Sequence, residues 1–283
     1  MGFTFQNLTK HGDVGGDLTR MFIPRKGHVF LDTDLSQAEA RVVALLANDF
    51  ELLNLFERGV DIHRLTASWL FNVPWERVEK NPKLITNEQR FVGKTGRHMC
   101  DYDATWSRLQ QEIMTNARKF HIDVSISAWR AKEIIRIFHQ YSPKIRGVFH
   151  EDVRKALVDS KQFFINAYGR PRLFLERWGD DLFKEAYAHI PQSSVSDHLK
   201  SAMVKTKRRL PWLLVCLESH DAFLSQIPDN RDQIAEAVGV IKEELERPLD
   251  FSRCTLKRGL LKIPCEVKVG YNYKDMGKYE RAA

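Results

Sequence analysis

The sequence lacks the features that mark secreted, disulfide-bonded and membrane-spanning proteins. It has only four cysteines in 283 residues, and no two of them form a Cys-x-x-Cys pair. Four thiols cannot crosslink a chain of this length, so reduced thiols and a cytoplasmic location are expected. There is also no run of about 18 apolar residues, and no basic segment followed by an apolar one near the N-terminus. We therefore expect neither a membrane partner nor a secretory signal.

The composition is that of a packed globular protein. Hydrophobic residues make up 43% of the chain and charged residues 29%, which is enough apolar mass for a core and excludes disorder as the main state. At roughly 150 residues per domain, the length predicts about two domains. The net charge of +7 permits a polyanionic partner without proving one.

The order of the predicted elements indicates an α+β fold with an all-helical domain inserted into it. Ser36-x-x-Glu39 and Thr86-x-x-Gln89 both fit the capping-box pattern at a helix start. Helices are predicted at about 36–47, 61–71, 86–99, 105–120, 126–140, 143–158, 180–209 and 230–247. Strands are predicted at about 29–33, 163–168, 213–217, 223–227 and 265–269.

Two aspartates follow apolar strands. Asp34 ends the strand that begins at Val29, and Asp221 lies in a tight turn between the strands at 213–217 and 223–227. Carboxylates on adjacent strands can share divalent metal ions, which activate an attacking oxygen and neutralise a leaving phosphate oxygen. The alternative is structural: Asp34 leads into a helix, and Asp221 forms a turn.

A second set of polar residues repeats every four positions on the helix that begins near Thr86. Arg90, Lys94 and His98 fall within about 80° of one helical face, and Tyr102 extends the series by one turn. Cations on one face repel one another, so a triphosphate would relieve them. The alternative is a solvated basic face. Residues 93–95 (GKT) are not a P-loop, because they lie within this helix and the first glycine of that motif is missing.

Taken in order, these segments resemble the catalytic core of family A DNA polymerases, the bacterial DNA polymerase I type, with features of phage versions. The segment 34–41 (DLSQAEAR) resembles motif A, the four-residue series from Arg90 to Tyr102 resembles motif B, and 217–221 (LESHD) resembles motif C. Other segments that match in the family's order are 61–63 (DIH), 141–146 (YSPKIR), 168–172 (YGRPR) and 191–193 (PQS).

The resemblance implies template-directed addition of dNTPs to a primer 3′ end by a two-metal mechanism. It makes Asp34 and Asp221 catalytic and, together with the Leu35 carbonyl, the ligands of two Mg²⁺ ions, with Mn²⁺ able to substitute. Nucleotide binding is implied for Gln37, Glu39, His63, Arg90, Lys94, His98 and Tyr102, where Glu39 resembles a gate that excludes a ribose 2′-hydroxyl. Contact with primer-template DNA is implied for Arg41, Arg170, Gln192 and His220.

The resemblance also implies the domain organisation. Residues 1–60 and 161–283 would form an antiparallel-sheet palm, and residues 61–160 would form the inserted helical fingers. The match begins close to residue 1, so the thumb and the exonuclease domains are expected to lie outside this sequence. We expect a split or truncated polymerase, with a separate polypeptide supplying the thumb and perhaps an exonuclease.

Four positions depart from the family pattern. Leu35 stands where an aromatic residue is common, His98 where Phe or Tyr usually packs on the nucleotide, Asp103 where Gly is usual, and Ala222 where motif C has an accessory Glu. Ala222, Asp103 and the expected absence of the thumb favour a second interpretation, a primer-template or nucleotide-binding module with little catalysis. A third, a relative of single-subunit RNA polymerases, is disfavoured by Glu39.

Overall fold

The computed structural model describes residues 18–279. The expected irregular, glycine-rich start at residues 1–28 therefore lies largely outside the described residues. The chain divides into two compact units. Within the described residues, the first unit comprises 18–38, 192–250 and 260–279, and the second comprises 39–191 and 251–259.

The order of the elements follows the prediction: one strand is followed by a long helical stretch and then by strands and helices together. The helices are α1 (Ala38–Leu46), α2 (Phe50–Glu57), α3 (Ile62–Leu70), α4 (Trp75–Lys80), α5 (Asn87–Asp101), α6 (Trp106–Lys119), α7 (Ala128–Tyr141), α8 (Glu151–Asp159), α9 (Asp180–Arg209) and α10 (Arg231–Leu245). A 3₁₀ turn at Pro82–Leu84 precedes α5, and a π-helical turn at Ile145–His150 precedes α8. The strands are β1 (His28–Leu35), β2 (Phe163–Ile165), β3 (Pro171–Leu173), β4 (Leu214–Ser219), β5 (Ala222–Pro228), β6 (Leu249–Asp250), β7 (Leu260–Leu261), β8 (Cys265–Gly270) and β9 (Met276–Lys278).

The first unit is built on a five-stranded antiparallel sheet in the order β4-β5-β1-β8-β9. Side chains alternate between the two faces of a strand, and in β1 the residues Leu31, Thr33 and Leu35 are fully buried. Helix α10 packs on β5 and β8 and buries its own apolar residues, such as Ile241. The other face of β1 carries partly exposed acidic side chains, so the sheet has one apolar face and one polar face.

The second unit is mainly helical. Its largest core lies among α3, α5, α6 and α7 and is formed by Leu70, Val92, Leu109, Ile113, Ala131 and Ile134. Helix α5 begins with the predicted capping box, in which Gln89 N–H donates to Thr86 Oγ1 and Thr86 N–H donates to Gln89 Oε1. Helices α3 and α5 approach so closely that a Cβ on Gly93 would lie 2.4 Å from the His63 carbonyl oxygen.

These elements confirm the predicted α+β fold class. The prediction lacks the short helix α4 and the short strands β3, β6, β7 and β9, and two further differences have a clear physical reason. The predicted capping box at Ser36 is wrong, because Ser36 N–H donates to the Pro264 carbonyl at 2.9 Å and the helix begins at Ala38. Helix α2 is missing from the prediction, since its short length gives little periodicity; Asp49 caps it by accepting from Leu52 N–H. The palm and fingers boundaries, at 1–60, 61–160 and 161–283, differ from those of the compact units and stay a prediction.

Among residues 18–279, no helix combines the length and the apolar character needed to cross a membrane.

Candidate catalytic and nucleotide-binding residues

In the first unit, sheet pairing brings the two predicted catalytic aspartates to neighbouring positions. Asp34 lies opposite Ala222 on β5 and opposite Glu266 on β8. Asp221 directly precedes Ala222, and its carbonyl accepts a 3.0 Å hydrogen bond from Leu35 N–H. Asp34, Asp221 and Glu266, which are far apart in sequence, therefore meet at one end of β1.

The surroundings of Asp34 favour a neutral carboxyl group in the absence of a cation. Burial, together with the negative charges of Asp221 and Asp32, raises the pKa of Asp34 to about 7, while Lys268 opposes the shift. Ionising Asp34 therefore costs free energy in this environment. A divalent cation bound beside it would offset that cost and stabilise the carboxylate.

The donor set fits a magnesium ion that also binds a substrate. Within the described residues, no three His, Cys, Asp or Glu side chains form a ready-made metal site. Mg²⁺ does not require one, because it is commonly held by one or two carboxylates, water and substrate phosphates. The hard carboxylate oxygens of Asp34 and Asp221 match that preference.

Gln37, three residues after Asp34, has an unusual backbone conformation. Its φ is +53°, a left-handed value that is uncommon for residues other than glycine. Its side-chain Oε1 is buried and accepts no hydrogen bond within the described part of the chain. An orphaned buried acceptor of this kind costs free energy and is a mark of sites where a ligand binds.

Two predicted DNA-binding residues belong to the same unit and are exposed. His220 lies in the β4–β5 turn with a φ of +52°, next to Asp221. Gln192 lies on α9, directly after Pro191. Both side chains are accessible to a ligand, and their roles stay predictions.

In the second unit, α5 carries the predicted phosphate-binding residues on one face. Lys94 and His98 are exposed, and Arg90 is partly exposed. Arg90 Nε donates a 2.7 Å hydrogen bond to Asp61 Oδ2. Residues 93–95 lie inside α5, which confirms that they form a helical segment and not a phosphate-binding loop.

His63 lies close to these cations and is neutral at physiological pH. Burial, followed by repulsion from Arg90, lowers the pKa of His63 to about 3, although Asp61 partly opposes the shift. Its Nδ1 is buried without a hydrogen-bond partner among residues 18–279. His63 can therefore reach a phosphate only as a neutral imidazole with one N–H donor.

The structure brings Glu39 and Tyr102 together, although they are far apart in sequence. Tyr102 Oη donates a 2.7 Å hydrogen bond to Glu39 Oε2. Burial and the Glu39 charge raise the pKa of Tyr102 well above its ordinary value, so the phenol remains a donor. The ring of His98 meets that of Tyr102 edge to face, with centroids 5.3 Å apart.

Arg41 and Arg170, both predicted to bind DNA, have contrasting environments. Arg41 is 3% exposed and bonds to Glu57 Oε1 at 3.0 Å and the Phe56 carbonyl at 3.3 Å. A DNA contact through this side chain would have to break those bonds. Arg170 is exposed at the tip of the β2–β3 hairpin, in a turn that Asn166 holds by accepting from Arg170 N–H.

Sequence reasoning did not predict the contacts of three polar residues around α5. Asp61 is the N-cap of α3 and accepts hydrogen bonds from the backbone N–H groups of His63 and Arg64. It also accepts one from the Arg90 side chain. An aspartate directly before a predicted helix indicates the cap but not the contact with Arg90. Asp103, at the family's usual glycine position, has a φ of +53° and accepts from Arg146 at 2.8 Å. Asp101 is fully buried beside Arg97, and burial raises its pKa to about 7; no sequence pattern marks it.

Comparisons with known proteins identify the family of this chain. The profile of DNA polymerase family A matches residues 4–275. The chain is 27% identical over 275 residues to the thermostable DNA polymerase I of Thermus filiformis, covering 94% of this chain and 29% of that protein. It is 29% identical over 276 residues to the thermostable DNA polymerase I of Thermus aquaticus, again covering 94% and 29%.

The fold has a counterpart among solved structures. The POL domain of Pol1 from M. smegmatis, in complex with DNA primer-template and dNTP, superposes with a TM-score of 0.74 at 20% identity, covering 96% of this chain and 44% of that one. This likeness supports the right-hand polymerase architecture. The chain spans less than a third of the two Thermus relatives. Since the family profile covers nearly all of its sequence, the chain belongs to DNA polymerase family A.

Proposed function

We propose that this chain is the catalytic part of a DNA-directed DNA polymerase, which adds dNTPs to a primer 3′ end under the direction of a template. The observation that carries the proposal is that Asp34, on β1, and Asp221, in the β4–β5 turn, lie close together at one end of β1. The family membership and the set of polar residues on α5 support the same function.

Asp34 and Asp221, with the Leu35 carbonyl, would hold two Mg²⁺ ions, and Mn²⁺ would be able to replace them. When bound, the metal ions lower the pKa of the primer 3′-hydroxyl and neutralise charge on the departing pyrophosphate. The carboxylates themselves supply hard oxygen donors and the negative charge that selects a divalent cation. The raised pKa of Asp34 means that loading is favoured as the pH rises toward 7.

The second unit would bind the incoming nucleotide. Arg90 offers a planar fork and Lys94 a point charge to the phosphates, and neutral His63 donates one hydrogen bond. Glu39, held by the Tyr102 hydroxyl, would exclude the 2′-hydroxyl of a ribonucleotide by occupying its space. His98, also on α5, would contact the nucleotide as well. Gln37, which belongs to the first unit, is proposed as a separate nucleotide contact.

Primer-template DNA would contact Arg170, Gln192 and His220 through backbone and minor-groove interactions that need not depend on sequence. Arg41 would join them only if its present bonds break. A separate polypeptide would supply the thumb and is the candidate source of an exonuclease. The polymerase would act in the cytoplasm of a bacterial or phage-infected cell.

The test is primer extension by the chain with Mg²⁺, with and without a thumb-bearing family A fragment. Asp34→Asn and Asp221→Asn each remove a metal-binding charge while keeping the size of the side chain, and we expect each to reduce extension by roughly a thousandfold or more. Asp232→Asn, at an exposed position in the first turn of α10, is the matched control and retains wild-type extension. Extension at the wild-type rate by both active-site variants would refute the proposal.

One observation favours a second candidate function, a primer-template or nucleotide-binding module. The residue opposite Asp34 on β5 is Ala222, where the family motif has a glutamate. Tight binding of primer-template DNA without any extension, even with the thumb-bearing fragment present, would favour this candidate.

A further inference from the structure

Asp61 makes contacts that exceed the needs of a helix cap. One of its oxygens, Oδ1, accepts from the backbone N–H groups of His63 and Arg64 at 3.0 and 3.2 Å and so caps α3. The other, Oδ2, accepts from Arg90 Nε at 2.7 Å. One carboxylate therefore joins the start of α3 to the first phosphate-binding residue of α5.

We propose that Asp61 is a positioning residue for the nucleotide, which holds the Arg90 guanidinium so that its terminal nitrogens are presented to the triphosphate. The inference deepens the proposed function and rests on it. Asp61 itself would not touch the nucleotide.

The geometry of the guanidinium supports this role. Arg90 is bonded through Nε, and neither terminal nitrogen has a protein partner within residues 18–279. The side chain is still 37% exposed, so these nitrogens can reach a ligand. An arginine that is already held in one orientation loses less rotamer freedom when it binds a phosphate.

The position of Asp61 is itself rigidly determined. Arg64, in the first turn of α3, donates from Nη1 to the carbonyls of Pro82 and Ile85, both at 2.8 Å, and these residues directly precede α5. The close approach at Gly93 fixes the spacing of the two helices. The carboxylate is therefore anchored to both helices before any ligand binds.

Asp61 also remains ionised over the working pH range. Burial alone would raise the pKa of Asp61, but the Arg90 hydrogen bond and charge, with the Arg64 N–H and His63, lower it overall. The Asp61 carboxylate contacts Arg90 and Arg64 directly. Arg90 is also one of the cations that lower the pKa of His63.

The alternative is that Asp61 is only a counterion, which occupies Arg90 until a triphosphate displaces it. The two roles predict opposite effects of removing the charge. If Asp61 positions Arg90, neutralising it weakens nucleotide binding. If it competes with the triphosphate, neutralising it tightens binding.

The experiment measures the dissociation constant of the magnesium complex of dATP for the full chain without DNA, by equilibrium dialysis. Asp61→Asn keeps a good helix cap but loses the charged acceptor, and Asp61→Ser keeps a cap that cannot reach Arg90. We expect both to weaken binding by about tenfold, because a charge-assisted bond is lost. The control is Asp49→Asn, which alters the aspartate cap of α2 in the same unit and should leave binding within about twofold of wild type.

A double-variant cycle decides whether Asp61 acts through Arg90. In an Arg90→Ala background, adding Asp61→Asn should weaken binding by less than about twofold, since residues that act as one unit are not additive. Unchanged or tighter binding by Asp61→Asn alone, or full additivity in the cycle, would overturn the inference and leave the polymerase assignment intact. Failure of the wild type to bind the dATP complex would overturn both.

Discussion

The two compact units arrange charge in opposite ways. In the first, Asp34 is surrounded mainly by other carboxylates, and its pKa is raised to about 7 by burial and by Asp221 and Asp32. In the second, the α5 cations are accompanied by a carboxylate, because Asp61 accepts from Arg90 and lowers the local positive charge. The acidic set is thus electrostatically incomplete without a cation, whereas the basic set is partly neutralised before its ligand arrives.

A raised pKa by itself does not identify a binding site. Asp101 in the second unit also has a pKa raised to about 7, and burial is the largest cause at both residues. The two differ in their neighbouring charges: Asp221 and Asp32 raise the pKa of Asp34 more than Lys268 lowers it, whereas Arg97 lowers the pKa of Asp101 more than Glu39 raises it. Asp34 also belongs to the polar face of the sheet. The comparison shows that the cause of a shift is more informative than its size.

The largest expected effect is on ligand binding, where variants in the two units should separate the affinity for nucleotide from the affinity for metal. Lys94→Ala should weaken binding of the dATP complex by about 100-fold, since a charged donor to phosphate is lost, while Mn²⁺ binding without nucleotide stays at the wild-type level. Asp34→Asn should abolish Mn²⁺ binding without nucleotide. Water proton relaxation by Mn²⁺ and equilibrium dialysis of dATP measure the two affinities independently. Loss of Mn²⁺ binding in Lys94→Ala would break the proposed separation.

The next effect concerns the close approach of α3 and α5. Gly93→Ala places a Cβ 2.4 Å from the His63 carbonyl oxygen and 2.9 Å from Ala67 N, so the helices must move apart. We expect a loss of about 3 kcal/mol in the free energy of unfolding, measured by urea denaturation. Gly239→Ala is the control, at an exposed position of α10 where nothing lies within 4 Å of the added Cβ. Equal stability of both variants would show that the approach is not tight.

The smallest effect is a pH dependence of stability. A folded-state pKa of about 7 for Asp34, against about 3.9 in an unfolded chain, means that the native state binds the extra proton. Its stabilising contribution is therefore present below about pH 4 and is lost as the pH rises to about 7. Asp34→Asn lacks this loss, so in chelator its free energy of unfolding should rise relative to that of wild type by about 2–3 kcal/mol from pH 5 to pH 8.

Asp101→Asn provides the comparison for that experiment. The pKa of wild-type Asp101 is raised in the same direction as that of Asp34, so Asp101→Asn should also gain stability relative to wild type as the pH rises from 5 to 8, measured by urea unfolding. At pH 8, added Mg²⁺ should raise the free energy of unfolding of wild type toward that of Asp34→Asn. Wild type and Asp101→Asn both keep Asp34, so Mg²⁺ should leave the difference between these two unchanged. An equal response of both variants to Mg²⁺ would contradict a metal site at Asp34.

Features that depend on neighbours in sequence could be predicted. The capping box at Thr86 and the four-residue repeat on α5 follow from helical geometry alone, and the helix at Asp180–Arg209 has the predicted bounds. The same local reasoning failed at Ser36, because a distant carbonyl, that of Pro264, takes its N–H. Local patterns predict an element only where no tertiary partner competes for its backbone groups.

The sequence by itself determined the family, the α+β fold class and the residue types available for chemistry. Only the tertiary structure decided which residues meet: Glu266 and Ala222 on either side of Asp34, Tyr102 against Glu39, and Asp61 against Arg90. It also decided that Arg41 is buried. The physical reason is that hydrogen bonds, burial and pKa values depend on distances in space, and a linear pattern contains such distances only for residues within one helix or strand.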